Sequence, residues 1–326
     1  MSMMSMAQAI SEAQAEEMER DERVFVLGED VGVMGGAFNA TDGLFKRFGC
    51  KRVIDMPISE AGILGAGIGA ALAGMRPVVE MQYGEFLGYM DPLANHMSKM
   101  HYMTRGRVRL PMVLRLPNGG KLGNAAPHSQ YLEAWFMHMP GLRVAMPSNP
   151  RDAKGMLKAA IRSDDPVVFI EDKLLYPRTG EVPEGEVVPL GKAAVANPGT
   201  AITVVAVGWT VSRALAAARE LEAEGIQIEV IDPRTLNPLD MDTIVESVRK
   251  TGKAIVAHQA CRTGGVGAEI SARIAEDAFE YLDAPVKRVT GMDCPIPYNI
   301  ELEKMSLPDE KEIAQAVRDL VGREHG

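Results

Sequence analysis

Short apolar runs alternate with stretches of helical periodicity along almost the whole chain, and this alternation restricts the fold more than any other feature of the sequence. Met6 to Arg20 has helical periodicity, and Val24-Phe25-Val26-Leu27 reads as a buried strand that stops at Gly28. The same rhythm predicts strands at Arg52 to Asp55, Arg76 to Met81, Leu110 to Arg115, Leu142 to Ala145 and Pro166 to Ile170. Helices are expected at Ser59 to Gly74, Tyr89 to Met103, near Gln130 to Met139, and at Arg151 to Arg162. Pro177, Pro183 and Pro189 then interrupt the pattern, which resumes at smaller scale from Ala201 to Thr290 and ends in a helix from about Asp309 to Val321. Strands that alternate with helices form mainly parallel sheets covered on both faces. The expected fold class is therefore α/β, with two doubly wound domains. A chain of 326 residues is longer than a single core usually serves, and the boundaries are placed at 1–180 and 190–326 with a linker at 181–189. Ligands of such folds sit at the carboxyl ends of the strands, so the chemistry is sought in those loops.

Charge narrows the classes of partner. A formal net charge of -9 supplies no basic field for nucleic acid or anionic lipid. The most apolar run, Ala61 to Met75, is shorter than the ~20 residues needed to span hydrocarbon and reads as core. Cys50, Cys261 and Cys294 form no C-x-x-C pair and no metal-ligand spacing, and no secretory signal is legible near Met1, so a reducing, cytoplasmic setting is expected.

The helix expected from Ser59 carries two rows of small residues at spacing four, Ala61-Gly65-Gly69-Ala73 and Gly62-Ala66-Ala70-Gly74. Each glycine costs a helix up to about 1 kcal/mol relative to alanine, so the rows need a close neighbour. That neighbour is either the sheet of the same domain or another subunit. Ser59 and Glu60 open the helix, where the hydroxyl could cap free amides and the carboxylate complements the dipole. Alternatively, Glu60 is a carboxyl at the mouth of a cleft that holds or shares a proton. Gly264-Gly265-Val266-Gly267 lacks the third glycine of a dinucleotide fingerprint and reads as a helix start, with His258 and Cys261 in structural positions nearby. Met90, Met97, Met100 and Met103 recur at near-helical spacing, which is read as packing rather than metal binding.

The segment Lys51-Arg52-Val53-Ile54-Asp55-Met56-Pro57-Ile58-Ser59-Glu60-Ala61-Gly62 resembles the beta subunits of the decarboxylating component of 2-oxo acid dehydrogenases and the related acetoin dehydrogenases. The resemblance continues in order through Leu27-Gly28-Glu29-Asp30-Val31-Gly32, Arg76-Pro77-Val78-Val79-Glu80, Pro117-Asn118-Gly119-Gly120, His128-Ser129-Gln130 and Asp232-Pro233-Arg234-Thr235. It implies a transketolase-type pyrimidine-binding domain followed by a transketolase-type C-terminal domain. The implied cofactor is thiamine diphosphate, with its aminopyrimidine on this chain and its diphosphate and magnesium on an alpha subunit in an α2β2 heterotetramer. No Gly-Asp-Gly magnesium motif occurs here, in keeping with an obligatory partner. Acyl groups would pass to a lipoyl-bearing acyltransferase core, whose basic domain could dock on Asp309, Glu310 and Glu312.

Residue by residue, the resemblance makes Glu60 the acid that hydrogen-bonds the pyrimidine ring nitrogen and promotes its imino tautomer. It makes Phe86 the aromatic packed on that ring, with Tyr83 and Tyr89 as alternative contacts, and gives Glu29 a supporting role. His128 closes a long Gly/Asn-rich loop and would serve acyl transfer to lipoamide. A potassium ion could sit on carbonyls matching Met112, Ala160, Ile161, Ser163 and Asp165. Two competing readings are a purely architectural subunit and an NAD-dependent oxidoreductase, the second opposed by the missing fingerprint. The substrate, whether pyruvate, a branched-chain 2-oxo acid or acetoin, stays open.

Overall fold

The computed structural model describes residues 1–120 and 122–322, which divide into two compact units. The first comprises Met1–Asn118 and Trp135–Leu190, the second Gly119–Ala134 and Gly191–Gly326. The glycine-rich loop before His128 thus belongs to the second unit, although it lies in the middle of the first in sequence.

The first unit begins with strand β1 (Ser2–Ser5) and helix α1 (Met6–Arg20), followed by β2 (Val24–Gly28), α2 (Leu44–Phe48), β3 (Val53–Asp55), α3 (Glu60–Leu72) and β4 (Arg76–Glu80). Irregular helical turns at Leu87–Tyr89 and Pro92–Met97 lead to α4 (Met100–Met103), then β5 (Val113–Asn118). The chain continues through α5 (Glu133–Met137), β6 (Arg143–Ala145), α6 (Pro150–Arg162), β7 (Val167–Asp172) and β8 (Thr179–Val182). Within this unit the parallel order is β6-β7-β5-β4-β2-β3. The strands β2, β4, β5 and β7 are buried along their entire length, as a parallel sheet covered on both faces requires.

Helices α1 and α6 are tied by charge. Lys154 reaches Glu12 and Glu16 at 2.7 Å, Lys158 reaches Glu16 at 2.5 Å, and Arg162 reaches the buried Glu17 at 2.7 Å. Both lysines bury their stems while their ammonium groups stay paired, which is how such residues fit a helix interface.

Several elements depart from the expected pattern. The segment read as a linker, 181–189, begins inside β8, which pairs antiparallel with β1 from Ser2↔Val182 to Ser5↔Thr179. The single helix expected over Tyr89 to Met103 is broken into separate turns; Met97 is buried but Met103 is exposed, so the methionines do not form one packed stripe. Strand β5 begins and ends three residues later than the apolar run Leu110 to Arg115.

The second unit contains β9 (Ala194–Asn197), β10 (Ile202–Ala206), α7 (Thr210–Glu222), β11 (Ile228–Asp232), β12 (Thr235–Asn237), α8 (Met241–Thr251) and β13 (Ala254–Cys261). It ends with α9 (Val266–Asp277), β14 (Lys287–Gly291), α10 (Ile300–Ser306) and α11 (Glu310–Val321). Its sheet has the order β14-β13-β10-β11-β9, with only β9 antiparallel. Ile202, Val204 and Ala206 of β10 pack with Leu221 of α7 and with Ile313 and Val317 of α11. Among the described residues, no helix is long and apolar enough to cross a membrane.

Candidate functional site

Glu60 is the first residue of α3, half-exposed beyond the carboxyl ends of the parallel strands β2 and β3. The expected Ser59 cap is not made: its hydroxyl forms no capping hydrogen bond. The Ser59 amide instead donates to the carboxyl of Glu29, the residue following β2. Glu29 is buried, and burial raises its carboxyl above the ordinary glutamate range; the neighbouring charges of Glu60 and Asp30 push it further up. Two carboxyls placed together, one open to solvent and one held toward its protonated form, are suited to sharing a proton.

Aromatic rings gather on the segment that follows β4. Phe86 meets Tyr83 edge-on at 5.5 Å, Tyr83 meets Phe38 edge-on at 5.9 Å, and Phe38 stacks on Tyr176 at 4.9 Å and 13°. The Lys173 ammonium lies 4.9 Å over the Tyr83 ring. Tyr89 is fully buried and donates its hydroxyl to the Gly84 carbonyl, so it is a strut of the segment and not a ring platform. Its hydroxyl is raised first by burial and then by the charges of Glu85 and Glu60, and α3, which Glu60 opens, packs on the turn Leu87–Tyr89 that follows Phe86. Phe86 itself is half-exposed. Glu60, Glu29 and Phe86 therefore gather at one end of the first sheet. Phe38 and Tyr176 were not singled out from sequence, because nothing local connects Phe38 in a glycine-rich loop with Tyr176 after β7.

The small-residue rows of α3 resolve into two faces. Ile63, Leu64, Gly67, Ile68 and Ala71 are buried, and a Cβ on Gly67 would come within 2.4 Å of Val79 Cγ2. This one glycine admits the sheet. Ala61, Gly62, Gly65, Ala66 and Gly69 are exposed, and a Cβ on Gly65 or Gly69 would meet nothing within 4 Å. Among the described residues, nothing requires Gly65 or Gly69 to be small, whereas a Cβ on Gly62 would meet Ser59 Oγ at 2.8 Å.

His128 lies in the second unit, half-buried at the end of a single helical turn, Ala126–His128, and its amide donates to the Ala125 carbonyl at 3.2 Å. His258 is buried on β13, and a Cβ on Gly265 or Gly267 would come within 2.5 Å of its ring. Those glycines let the start of α9 close over an imidazole whose pKa is lowered to about 4, by burial first and by Arg288 second. Cys261 is exposed, and among the described residues no group of histidine, cysteine or acidic side chains could hold a metal.

At the expected cation site, the carbonyls of Ile161 and Ser163 accept from the Arg76 guanidinium at 3.0 and 2.6 Å, and the Met112 carbonyl accepts the Val167 amide at 3.0 Å. The Ala160 carbonyl accepts the Ser163 amide, while the Asp165 carboxylate pairs with Arg143 at 2.8 Å. Asp309 and Glu312 are occupied in the capping box of α11, and Glu310 pairs with Arg213 at 3.3 Å.

Comparison with known proteins matches the transketolase pyrimidine-binding domain to residues 2–179 and the transketolase C-terminal domain to residues 191–313. The chain is 44% identical over 98% of its length to the pyruvate dehydrogenase E1 component subunit beta of Rhizobium meliloti, covering 70% of that protein. It is 46% identical over 98% of its length to the 2-oxoisovalerate dehydrogenase subunit beta of Bacillus subtilis, covering 99% of it. Among solved structures, a split-gene transketolase described as an inactive beta4 tetramer shares the fold, with a TM-score of 0.80, 22% identity and 98% coverage of both chains.

Proposed function

The chain belongs to the beta subunits of the E1 component of 2-oxo acid dehydrogenases, built on transketolase-type domains, and from that membership we propose how its residues carry the reaction. It is an oxidoreductase subunit that depends on thiamine diphosphate and works with an alpha subunit in a tetramer. The reading is carried by one observation: the half-exposed Glu60 carries its charge near enough to the buried Glu29 to help raise that carboxyl toward its protonated form.

Thiamine diphosphate, when bound, supplies the carbon nucleophile that adds to the carbonyl of a 2-oxo acid. Glu60 holds the proton at the ring nitrogen of the aminopyrimidine. Glu29 fixes the Ser59 amide beside it and keeps a second exchangeable proton within the pair. Phe86, braced by Tyr83, supports the ring. His128 moves a proton during acyl transfer to a lipoyl disulfide carried by an acyltransferase partner. The diphosphate and magnesium fall to the alpha subunit. A structural potassium ion at Met112, Ala160, Ile161 and Asp165 would have to use carbonyl lone pairs left over by Arg76 and the backbone. Its sign would be a higher melting temperature in potassium than in lithium; equal values would remove it.

The test is turnover by the enzyme reconstituted with its alpha subunit on pyruvate, a branched-chain 2-oxo acid and acetoin, reading decarboxylation with an artificial electron acceptor separately from acyl transfer to lipoamide. Turnover of acetoin but of neither 2-oxo acid would replace this reading. In the same assay His128→Asn is expected to lower lipoamide-coupled turnover by about 10²-fold or more, the scale of a lost general acid or base, while sparing the artificial-acceptor reaction. Unchanged coupled turnover would remove His128 from the chemistry.

The exposed face of α3 is where this reading places a neighbouring subunit, because its glycines admit a close approach that its own chain does not use. Gly69→Leu should leave the isolated subunit as stable as before, or stabilise it by up to about 1 kcal/mol through helix propensity, yet abolish assembly with the alpha subunit. Sedimentation of the mixed subunits decides: a normal tetramer with leucine at this position would show that the face is free.

A further inference from the structure

We propose that Glu303 is a positioning residue for His128: its buried carboxylate holds the Gly123 amide and thereby fixes the loop that carries the imidazole. The proposal rests on the reading of His128 as a residue of the acyl step.

The loop leaves β5 at Gly119 and returns at Tyr131, and its ends are tied together. The Gly119 amide donates to the Gln130 carbonyl at 3.0 Å, and the Gly120 amide donates to the Tyr131 hydroxyl at 2.9 Å. Closure at the base alone does not hold the far side of a glycine-rich loop. There the Gly123 amide donates to Glu303 Oε2 at 2.9 Å, and Gly123 rests near Ile300. Glu303 is fully buried on α10, whose start is fixed by the Asn299 side chain accepting from the amides of Glu301 and Leu302. Two residues beyond Gly123, Ala125 is held at φ +60°, a region that side-chain-bearing residues rarely adopt and that costs about 1–3 kcal/mol. Such a conformation persists only where the surroundings impose it. The Ala125 carbonyl then accepts the His128 amide, so Gly123, Ala125 and His128 form one mechanically continuous stretch. Removing the carboxylate takes the acceptor from a half-buried amide, releases Ala125 from its strained conformation and lets the imidazole wander. Glutamine keeps an oxygen of the same reach and should preserve the position.

The experiment uses Glu303→Ala, Glu303→Gln and His128→Asn in the reconstituted enzyme. It reads lipoamide-coupled kcat and KM, artificial-acceptor decarboxylation, and amide hydrogen exchange over 123–129. Glu303→Ala should lower coupled kcat by about 10- to 100-fold, the scale of a lost charge-assisted hydrogen bond. KM for lipoamide and the artificial-acceptor rate should change little, exchange over 123–129 should accelerate, and Glu303→Gln should recover most of the coupled rate. Should the alanine variant not fold, Glu303→Asp withdraws the acceptor by one methylene and is expected to behave as described for alanine. If His128→Asn loses coupled turnover while Glu303→Ala or Glu303→Asp keeps both turnover and protection, the positioning role is overturned and the reading of His128 survives. If His128→Asn is harmless, both fall together.

Discussion

Glu60→Gln should bind thiamine diphosphate nearly as well as the unaltered enzyme and decarboxylate about 10²- to 10⁴-fold more slowly, the loss expected when a positioned acid is removed. Glutamine has the length and planarity of glutamate and can still hydrogen-bond a ring nitrogen, but it cannot hold and release a proton there. The half-exposed position of Glu60 at the start of α3 means that the substitution leaves no buried group orphaned, so a fall in rate cannot be assigned to unfolding. A second readout comes from Glu29, whose carboxyl is raised by burial first and by the Glu60 charge second. A carboxyl raised in the folded state contributes its stability below the ordinary glutamate range and loses it as pH rises through the folded value. Glutamine at position 60 removes one source of the upward shift, so this loss of stability should be smaller and should finish at lower pH in the variant. Melting curves against pH measure the displacement, and stopped-flow or steady-state decarboxylation measures the rate. A near-normal rate would reject Glu60 as the activating acid.

The division between what was legible in the sequence and what was not follows the range of the forces involved. Helix α1 occupies Met6–Arg20, as its periodicity predicts, because amphipathic spacing is local and Ser5 and Gln8 cap it within one turn. The pair β1 and β8 was missed because Ser2–Ser5 and Thr179–Val182 stabilise each other only across the length of the domain, and neither has the apolar alternation of an independent strand. Helix α10 was missed because its seven residues between prolines carry too little periodicity to register. At the site, only family resemblance singles out Glu60 and His128 as chemical groups, since spacing alone reads Glu60 as an acid that complements a helix dipole and His128 as a solvated loop histidine. Their surroundings were not legible at all. That Glu29 would take the Ser59 amide, that Tyr89 would be spent on Gly84, and that Glu303 would reach Gly123 are consequences of packing between residues distant in sequence. The open choice over the glycines of α3 is narrowed by the same packing: Gly67 serves the sheet, while Gly65 and Gly69 serve nothing within the chain.

Arg115→Met should destabilise the first unit by about 3–5 kcal/mol, because it leaves buried acids without the charge that compensates them. Arg115 is fully buried on β5 and grips Glu171 with two parallel hydrogen bonds of 2.7 Å, while its remaining arm bonds Glu80. Tyr176 donates its hydroxyl to Glu171 at 2.7 Å. One guanidinium thus faces two acids. Burial raises the Glu80 carboxyl and the Glu171 charge raises it further, against the opposing pull of Arg115. The damage should also reach the candidate site. Tyr176 carries the stack on Phe38, and the Glu80 carboxyl lies against Gly36 in the loop that follows Glu29. Loss of Arg115 should therefore weaken thiamine diphosphate binding in the assembled enzyme as well as lower the urea midpoint of the isolated subunit. The contrasting variant replaces Arg115, Glu80 and Glu171 together by apolar or neutral residues of similar volume, and should recover much of the lost stability, since no charge then stays buried without a partner. A single substitution costing under about 1 kcal/mol would mean that water reaches these acids in solution. A combined variant as unstable as the single one would mean that the strands need this network for more than charge balance.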